Sequence, residues 1–222
     1  SECLVGSEMC IRDRLRGYAV EAVEDSGYQD MTLSSLSTSD YPHLVELCDD
    51  LEDFCAQRHV TLALPSLRAD NFSMALMERL QKGRKTGLTF APEAGTQRLR
   101  DAINKNLTEE DLLESCRRAF AGGYSAVKLY FMLGLPTETD EDVLGIAEVA
   151  SHVMHAWRES ASNKNRGVRI TVSTSWFVPK AHTAFQWEPQ IPIEEYERRV
   201  KLLREAMNTK SVTYNWHPSP TR

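Results

Sequence analysis

Apolar and polar positions recur along this chain with two periods, and each change of period marks an element boundary. Residues 126–133, Ala-Val-Lys-Leu-Tyr-Phe-Met-Leu, form a strand-like apolar run that stops at Gly134-Leu135-Pro136. Glycine there tolerates backbone angles that other residues avoid, and proline cannot donate to a continuing ladder. Beyond the turn, Val143, Ile146, Ala147, Ala150, Val153 and Met154 lie at helical spacing, one apolar stripe facing a core. Thr137 or Thr139 caps this helix, paired with Asp140 or Asp142 in a variant of the capping box. The acids of that first turn also suit the positive end of the helix dipole.

The same reading carried along the chain predicts helices over 15–26 (closed by Gly27), 41–58, 73–81, 97–102, 108–121, 140–160 and 193–208. It predicts strands over 30–36, 60–64, 87–91, 126–133 and 168–178. Strand starts fall about thirty to forty residues apart, the size of a βαβ unit. Five strands alternating with helices predict a parallel sheet, and consecutive apolar residues within strands predict a sheet covered on both faces. Neither Gly-x-Gly-x-x-Gly nor a Gly-Lys-Ser/Thr loop is present, which disfavours a dinucleotide fold and a P-loop enzyme. A barrel, or part of one, fits better.

Composition narrows the function. The 222 residues and a hydrophobic share of 41% allow one sizeable domain. A net charge of −6 argues against a large nucleic-acid footprint. No apolar run approaches the ~20 residues that span a bilayer, and the chain reads as soluble and cytoplasmic. Five cysteines do not make a disulfide framework. Cys48 and Cys55 share a helical face and read as half-buried thiols, and Cys116 reads as core. Residues 1–14 have no clear period, so a non-native, adapter-like or disordered segment is expected there, and Cys3 and Cys10 carry no site.

Polar and special residues cluster where strands end: Ser37-Thr38-Ser39-Asp40, Ser66-Leu67-Arg68-Ala69-Asp70, Pro92-Glu93-Ala94-Gly95, Gly134-Leu135-Pro136 and Pro179-Lys180-Ala181-His182-Thr183. In a barrel these five loops converge on one mouth, where substrates and cofactors bind. Each has a plainer reading too. Residues 37–40 suit a helix cap, Arg68 suits a structural ion pair, and Lys180 and His182 suit the surface. Lys128 either snorkels or lines the barrel. His152 and His155 read as solvated surface. Trp176, Trp187 and Trp216 read as packing. Glu93, between a proline and a glycine at a strand end, points most firmly to function.

Taken together these strand ends resemble the radical S-adenosylmethionine superfamily, and within it the subgroup with an upstream cobalamin-binding domain. The resemblance rests on five segments in order: Ser-Leu-Ser-Thr-Ser-Asp-Tyr (35–41), Ser-Leu-Arg-Ala-Asp (66–70), Leu-Thr-Phe-Ala-Pro-Glu-Ala-Gly-Thr-Gln-Arg-Leu-Arg (88–100), Lys-Leu-Tyr-Phe-Met-Leu-Gly-Leu-Pro-Thr-Glu-Thr (128–139) and Phe-Val-Pro-Lys-Ala-His-Thr-Ala-Phe-Gln-Trp (177–187). It implies a partial (β/α)6 TIM-like barrel over residues 15–187, followed by a C-terminal helix and extension over 188–222. It implies S-adenosylmethionine as small-molecule cofactor, cleaved at a [4Fe–4S] cluster to a radical that abstracts hydrogen from substrate. Carried over by position, Ser37, Thr38 and Ser39 lie near the methionine amine. Arg68 and Glu93 approach the carboxylate or ribose, and Gly134, Leu135 and Pro136 pack near the adenine. Pro179, in the last segment, completes the cofactor-binding set.

The departure from the family is as informative as the match. Its cluster sits on a Cys-x-x-x-Cys-x-x-Cys triplet, which this sequence lacks. The expectation is a fragment without the first barrel strand, the cluster loop and the cobalamin domain, inactive as it stands. Two alternatives remain open: a cluster-free scaffold that binds a ligand or partner, and a barrel lyase or aldolase using Lys128 as a Schiff base.

Overall fold

The computed structural model describes residues 8–33, 41–63, 88–164, 167–207 and 209–217. The chain divides into two compact units, Ser1–Thr86 and Gly87–Arg222.

In the first unit, helix α1 (Glu8–Ser26) leads to strand β1 (Asp30–Thr32), and helix α2 (Leu44–Arg58) leads to strand β2 (Thr61–Ala63). The two strands pair in parallel, Met31 opposite Leu62. Gly27, at φ 69°, ends α1, and its N–H donates to the Val23 carbonyl at 2.9 Å. Val23, Met31, Leu47, Leu51, Cys55 and Val60 form the core of the unit. Helix α1 begins at Glu8 rather than at the expected Leu15. Glu, Met and Arg before Leu15 are good helix formers, and no proline interrupts them.

The second unit is a four-stranded parallel sheet in sequential order. It runs β3 (Leu88–Glu93), α3 (Gln97–Ala102), α4 (Glu109–Ala121), β4 (Ala126–Leu133), α5 (Asp140–Ser160), β5 (Arg169–Trp176), α6 (Ile193–Ala206) and β6 (Val212–Trp216). Capping boxes open α4 (Thr108 with Asp111) and α5 (Thr139 with Asp142). Thr137 is not a cap: it sits at φ 66° in the turn. Strand β3 outlasts its expected end and passes through Pro92, with a register shift between Phe90 and Glu93. Proline is tolerated because β3 is an edge of this sheet and is bulged at that point. Strand β6 escaped the sequence reading, since Val-Thr-Tyr-Asn-Trp is too short to establish a period.

Alternate residues of the sheet seal one face. Phe90, Val127, Leu129, Phe131, Leu133, Ile170, Val172 and Thr174 are buried. On that side Trp176 stacks on Tyr196 of α6 with ring centroids 5.1 Å apart. The Tyr196 hydroxyl donates to the His217 carbonyl beyond β6 at 2.9 Å. From α5, Val143, Ile146, Ala150 and Val153 are buried, as the stripe predicts, while Ala147 and Met154 are half-buried. The observed architecture is therefore α/β with parallel sheets, as expected, and no closed barrel is seen among the described residues.

Candidate functional site

All four strands of the second unit run parallel, so the chain leaves β3, β4 and β5 on one edge of the sheet. At the end of β3, Glu93 takes φ 69°. Left-handed backbone costs a non-glycine residue about 1 kcal/mol and persists only where surroundings enforce it. Its half-buried carboxylate lies 3.5 Å from the Lys105 ammonium. Burial pushes the Glu93 carboxyl above its ordinary value, and Lys105 partly offsets this.

Arg100 of α3 ties both partners down. It is 1% exposed. Its Nη1 donates to the Ala94 carbonyl at 3.0 Å, next to Glu93. Its own carbonyl accepts from the Lys105 N–H at 2.8 Å. The sequence reading missed Lys105 and Arg100. The available signal was a charge beside Leu99 on the buried side of α3.

Asp142 fastens the same loop to α5. Its carboxylate is 2% exposed and accepts from the Thr96 hydroxyl, from Arg98 and, at 2.8 Å, from the Thr139 N–H. Burial raises its pKa, but these hydrogen bonds outweigh burial and the net shift is downward. Gly95 lets the loop approach: a Cβ there would stand 2.5 Å from the Ile146 nitrogen and 2.8 Å from the Gly145 carbonyl carbon.

The turn after β4 is held by a second carboxylate. Gly134 sits at φ 88°, and its N–H donates to Glu138 Oε2 at 2.7 Å. Glu138 pairs with Arg199 of α6, which also donates to Glu195 at 2.8 Å. Burial moves Glu138 upward despite the Gly134 N–H and Arg199. Leu135 is buried and Pro136 half-buried. After β5, Pro179 is half-buried, while Lys180 and His182 are exposed.

Ala94, Leu99, Leu135 and Phe177 form one apolar cluster, with Met132 and Phe185 against it. The loops after β3, β4 and β5 therefore meet, which brings Glu93, Gly134, Leu135 and Pro136 to one edge, with Pro179 two residues beyond the clustered Phe177. Ser37, Thr38, Ser39 and Arg68 lie outside the described residues, as does the helix expected over 73–81.

The thiols and the histidines belong to other places. Cys48, Cys55 and Cys116 are buried. Burial raises the Cys55 thiol and pushes Cys116 up to about 12, whereas cluster ligands must be thiolates. No group of three or more His, Cys, Asp or Glu among the described residues is arranged to hold a metal ion. These residues do not fit an iron–sulfur cluster. His152 is on the surface, its Nδ1 2.5 Å from Glu109, and His155 is exposed beside it. Lys128 is exposed, its ammonium 5.8 Å from the centroid of the Tyr130 ring, unlike the desolvated lysine a Schiff-base enzyme requires. No helix among the described residues is long and apolar enough to cross a membrane.

Comparison with known proteins agrees with this layout. Residues 13–150 match the model of the Radical SAM superfamily. An uncharacterized protein of Methanocaldococcus jannaschii is 33% identical over 204 residues, a match that spans 90% of this chain and 41% of that protein. Coproporphyrinogen III oxidase (HemN) from Escherichia coli, described as a radical SAM enzyme, aligns with a TM-score of 0.60 at 11% identity, covering 92% of this chain and 48% of its own. Elp3 of Methanocaldococcus infernus, with an N-terminal deletion, aligns at 0.54 and 12% identity, covering 92% and 50%. SuiB of Streptococcus suis aligns at 0.57 and 9% identity, covering 95% and 44%. At such identities the structural likenesses speak for the fold alone. The chain spans half or less of the length of each of these proteins.

Proposed function

We propose that this chain, which belongs to the radical SAM superfamily, holds S-adenosylmethionine across the C-terminal edge of its parallel sheet, as part of an enzyme core whose cluster sits on cysteines outside this sequence. The observation that carries the reading is Glu93. It is a half-buried acid in left-handed backbone, ion-paired to Lys105, at the edge where three strand-end loops meet. A carboxylate and an ammonium side by side suit a zwitterionic amino-acid moiety with a neighbouring diol. Glu93 accepts from ammonium or hydroxyl groups, and Lys105 donates to a carboxylate. Gly134, Leu135, Pro136 and Pro179 form the adjoining wall, and Ser37, Thr38, Ser39 and Arg68 complete the set by position.

S-adenosylmethionine supplies the radical chemistry in this superfamily. The residues of this chain bind it, orient it and exclude water. Arg100 and Asp142 support the loop that presents Glu93. The reading extends to a cobalamin-binding domain in the whole protein and to the cytoplasm, the compartment that keeps thiols such as Cys48 and Cys55 reduced. The net charge of −6 weighs against nucleic acid as the substrate.

Calorimetric titration of the chain with S-adenosylmethionine tests the proposal. Glu93→Gln weakens binding about tenfold or more, the value of one charge-assisted hydrogen bond. Unchanged affinity in both Glu93→Gln and Lys105→Met would remove the site. Anaerobic reconstitution with iron and sulfide leaves this chain without a stable cluster, and a stoichiometric cluster would contradict the placement of its ligands elsewhere. The buried thiols also favour a second reading, a cluster-free ligand-binding scaffold, in which the chain never acquires cleavage activity beside any added cluster-bearing segment.

A further inference from the structure

The face of the β3–β6 sheet opposite the sealed one is polar throughout its middle. Successive register rows run Thr89, Lys128, Thr171, Thr213 and then Tyr130, Ser173, Asn215, with Met132 and Ser175 nearer the C-terminal edge. Lys128, Tyr130, Arg169, Thr213 and Asn215 are exposed, and Thr171, Ser173 and Ser175 are half-exposed. Parallel sheets ordinarily bury both faces under apolar side chains. This one offers hydroxyl and amide groups at strand spacing, about 4.8 Å apart, directly below the edge that carries Glu93.

The charge on this face is one-sided. Lys128 and Arg169 are its cations. Among the described residues no acid lies in its paired rows, and Glu93, beyond the register shift, pairs opposite Phe131 of the sealed face. Lys128 projects from a strand whose neighbours Val127 and Leu129 are buried. Its ammonium makes no ion pair among the described residues, and the Tyr130 ring at 5.8 Å restrains where it points.

We propose that this face is the substrate wall, and that Lys128 anchors an anionic group, carboxylate or phosphate, of a small polar substrate whose remaining groups hydrogen-bond to Thr171, Ser173, Thr213 and Asn215. The proposal rests on the cofactor reading above, because the edge site is what makes the adjoining face a substrate wall. Arg169, at the far end of the same face, adds to the attraction without contacting the anchored group.

Acylation footprinting tests this on the full chain. The chain is treated with sulfo-N-hydroxysuccinimide acetate in inorganic phosphate, in malonate or in chloride at equal ionic strength, and each lysine is followed by peptide mass spectrometry. At twice the dissociation constant the bound anion slows acetylation of Lys128 about threefold, while the exposed Lys164 and Lys210 react as in chloride. Protection by phosphate alone identifies a phosphorylated substrate; protection by malonate alone identifies a carboxylate. In direct titration Lys128→Arg keeps anion binding and Lys128→Met loses it. Equal reactivity of Lys128 in all three buffers, or equal slowing at all three lysines, overturns the inference. S-adenosylmethionine titration of the same sample reports separately on the cofactor reading, so the two fail apart.

Discussion

The two faces of the β3–β6 sheet are built from the same strands and do opposite work. One face alternates Leu88 and Phe90 with Val127, Leu129, Phe131, Ile170 and Val172, all sealed from water. The other alternates Thr89 with Lys128, Tyr130, Thr171 and Ser173, which stay accessible. Burial of apolar area stabilises the fold, so the first face is where mutation unfolds the chain. The second contributes little to stability and is free to carry chemistry.

The sharpest way to break that comparison is to truncate each face. Phe131→Ala removes a fully buried ring and lowers unfolding free energy by about 3–5 kcal/mol, read from urea melts. A loss under 1 kcal/mol would mean the helix-covered face is not the core. Gly95→Ala comes next. Its Cβ meets α5 backbone, which cannot yield cheaply, so about 1–3 kcal/mol is lost and the Glu93 loop shifts, weakening S-adenosylmethionine binding.

The two clamp carboxylates separate by pH. The Asp142 pKa is depressed by folding, so its contribution is present above its unfolded value, near about 4, and is lost as pH falls through the folded pKa. The Glu138 pKa is raised by folding. The folded state holds that proton more tightly, so Glu138 costs stability at neutral pH and acidification relieves the cost. In denaturation midpoints from pH 7 to 3, Asp142→Asn flattens the acid loss and Glu138→Gln steepens it; identical curves for all three proteins would refute the assignment. Last and smallest, Lys128→Met leaves stability within about 0.5 kcal/mol of the parent, because Lys128 stands on the open face. A larger loss would show that this face is packed after all.

Some of this was legible in the sequence, for local reasons. Strand β4 and helix α5 have the expected bounds because Gly134, Pro136 and the Thr139–Asp142 box mark them within a few residues. Cys116 is buried as its helical stripe requires, while Cys48 and Cys55, expected half-buried, are buried as well. Glu93 stood out between Pro92 and Gly95, and three of the five strand-end clusters do meet at one edge. Strand β6 and the start of α1 were not legible. A five-residue strand carries too little period to detect, and a helix that runs past its apolar stripe follows propensity alone.

The sequence by itself determined which residues alternate, that a threonine paired with an acid three residues on opens α5 and that a parallel α/β sheet results, because these depend on neighbours within a turn or two. Only the tertiary structure decided that Lys105 faces Glu93, that Arg100 holds the Ala94 carbonyl, that Asp142 gathers Thr96 and Arg98, and that Lys128 stands on an open polar wall. Those meetings depend on strand register and on how closely α5 approaches Gly95, and no local pattern encodes either distance.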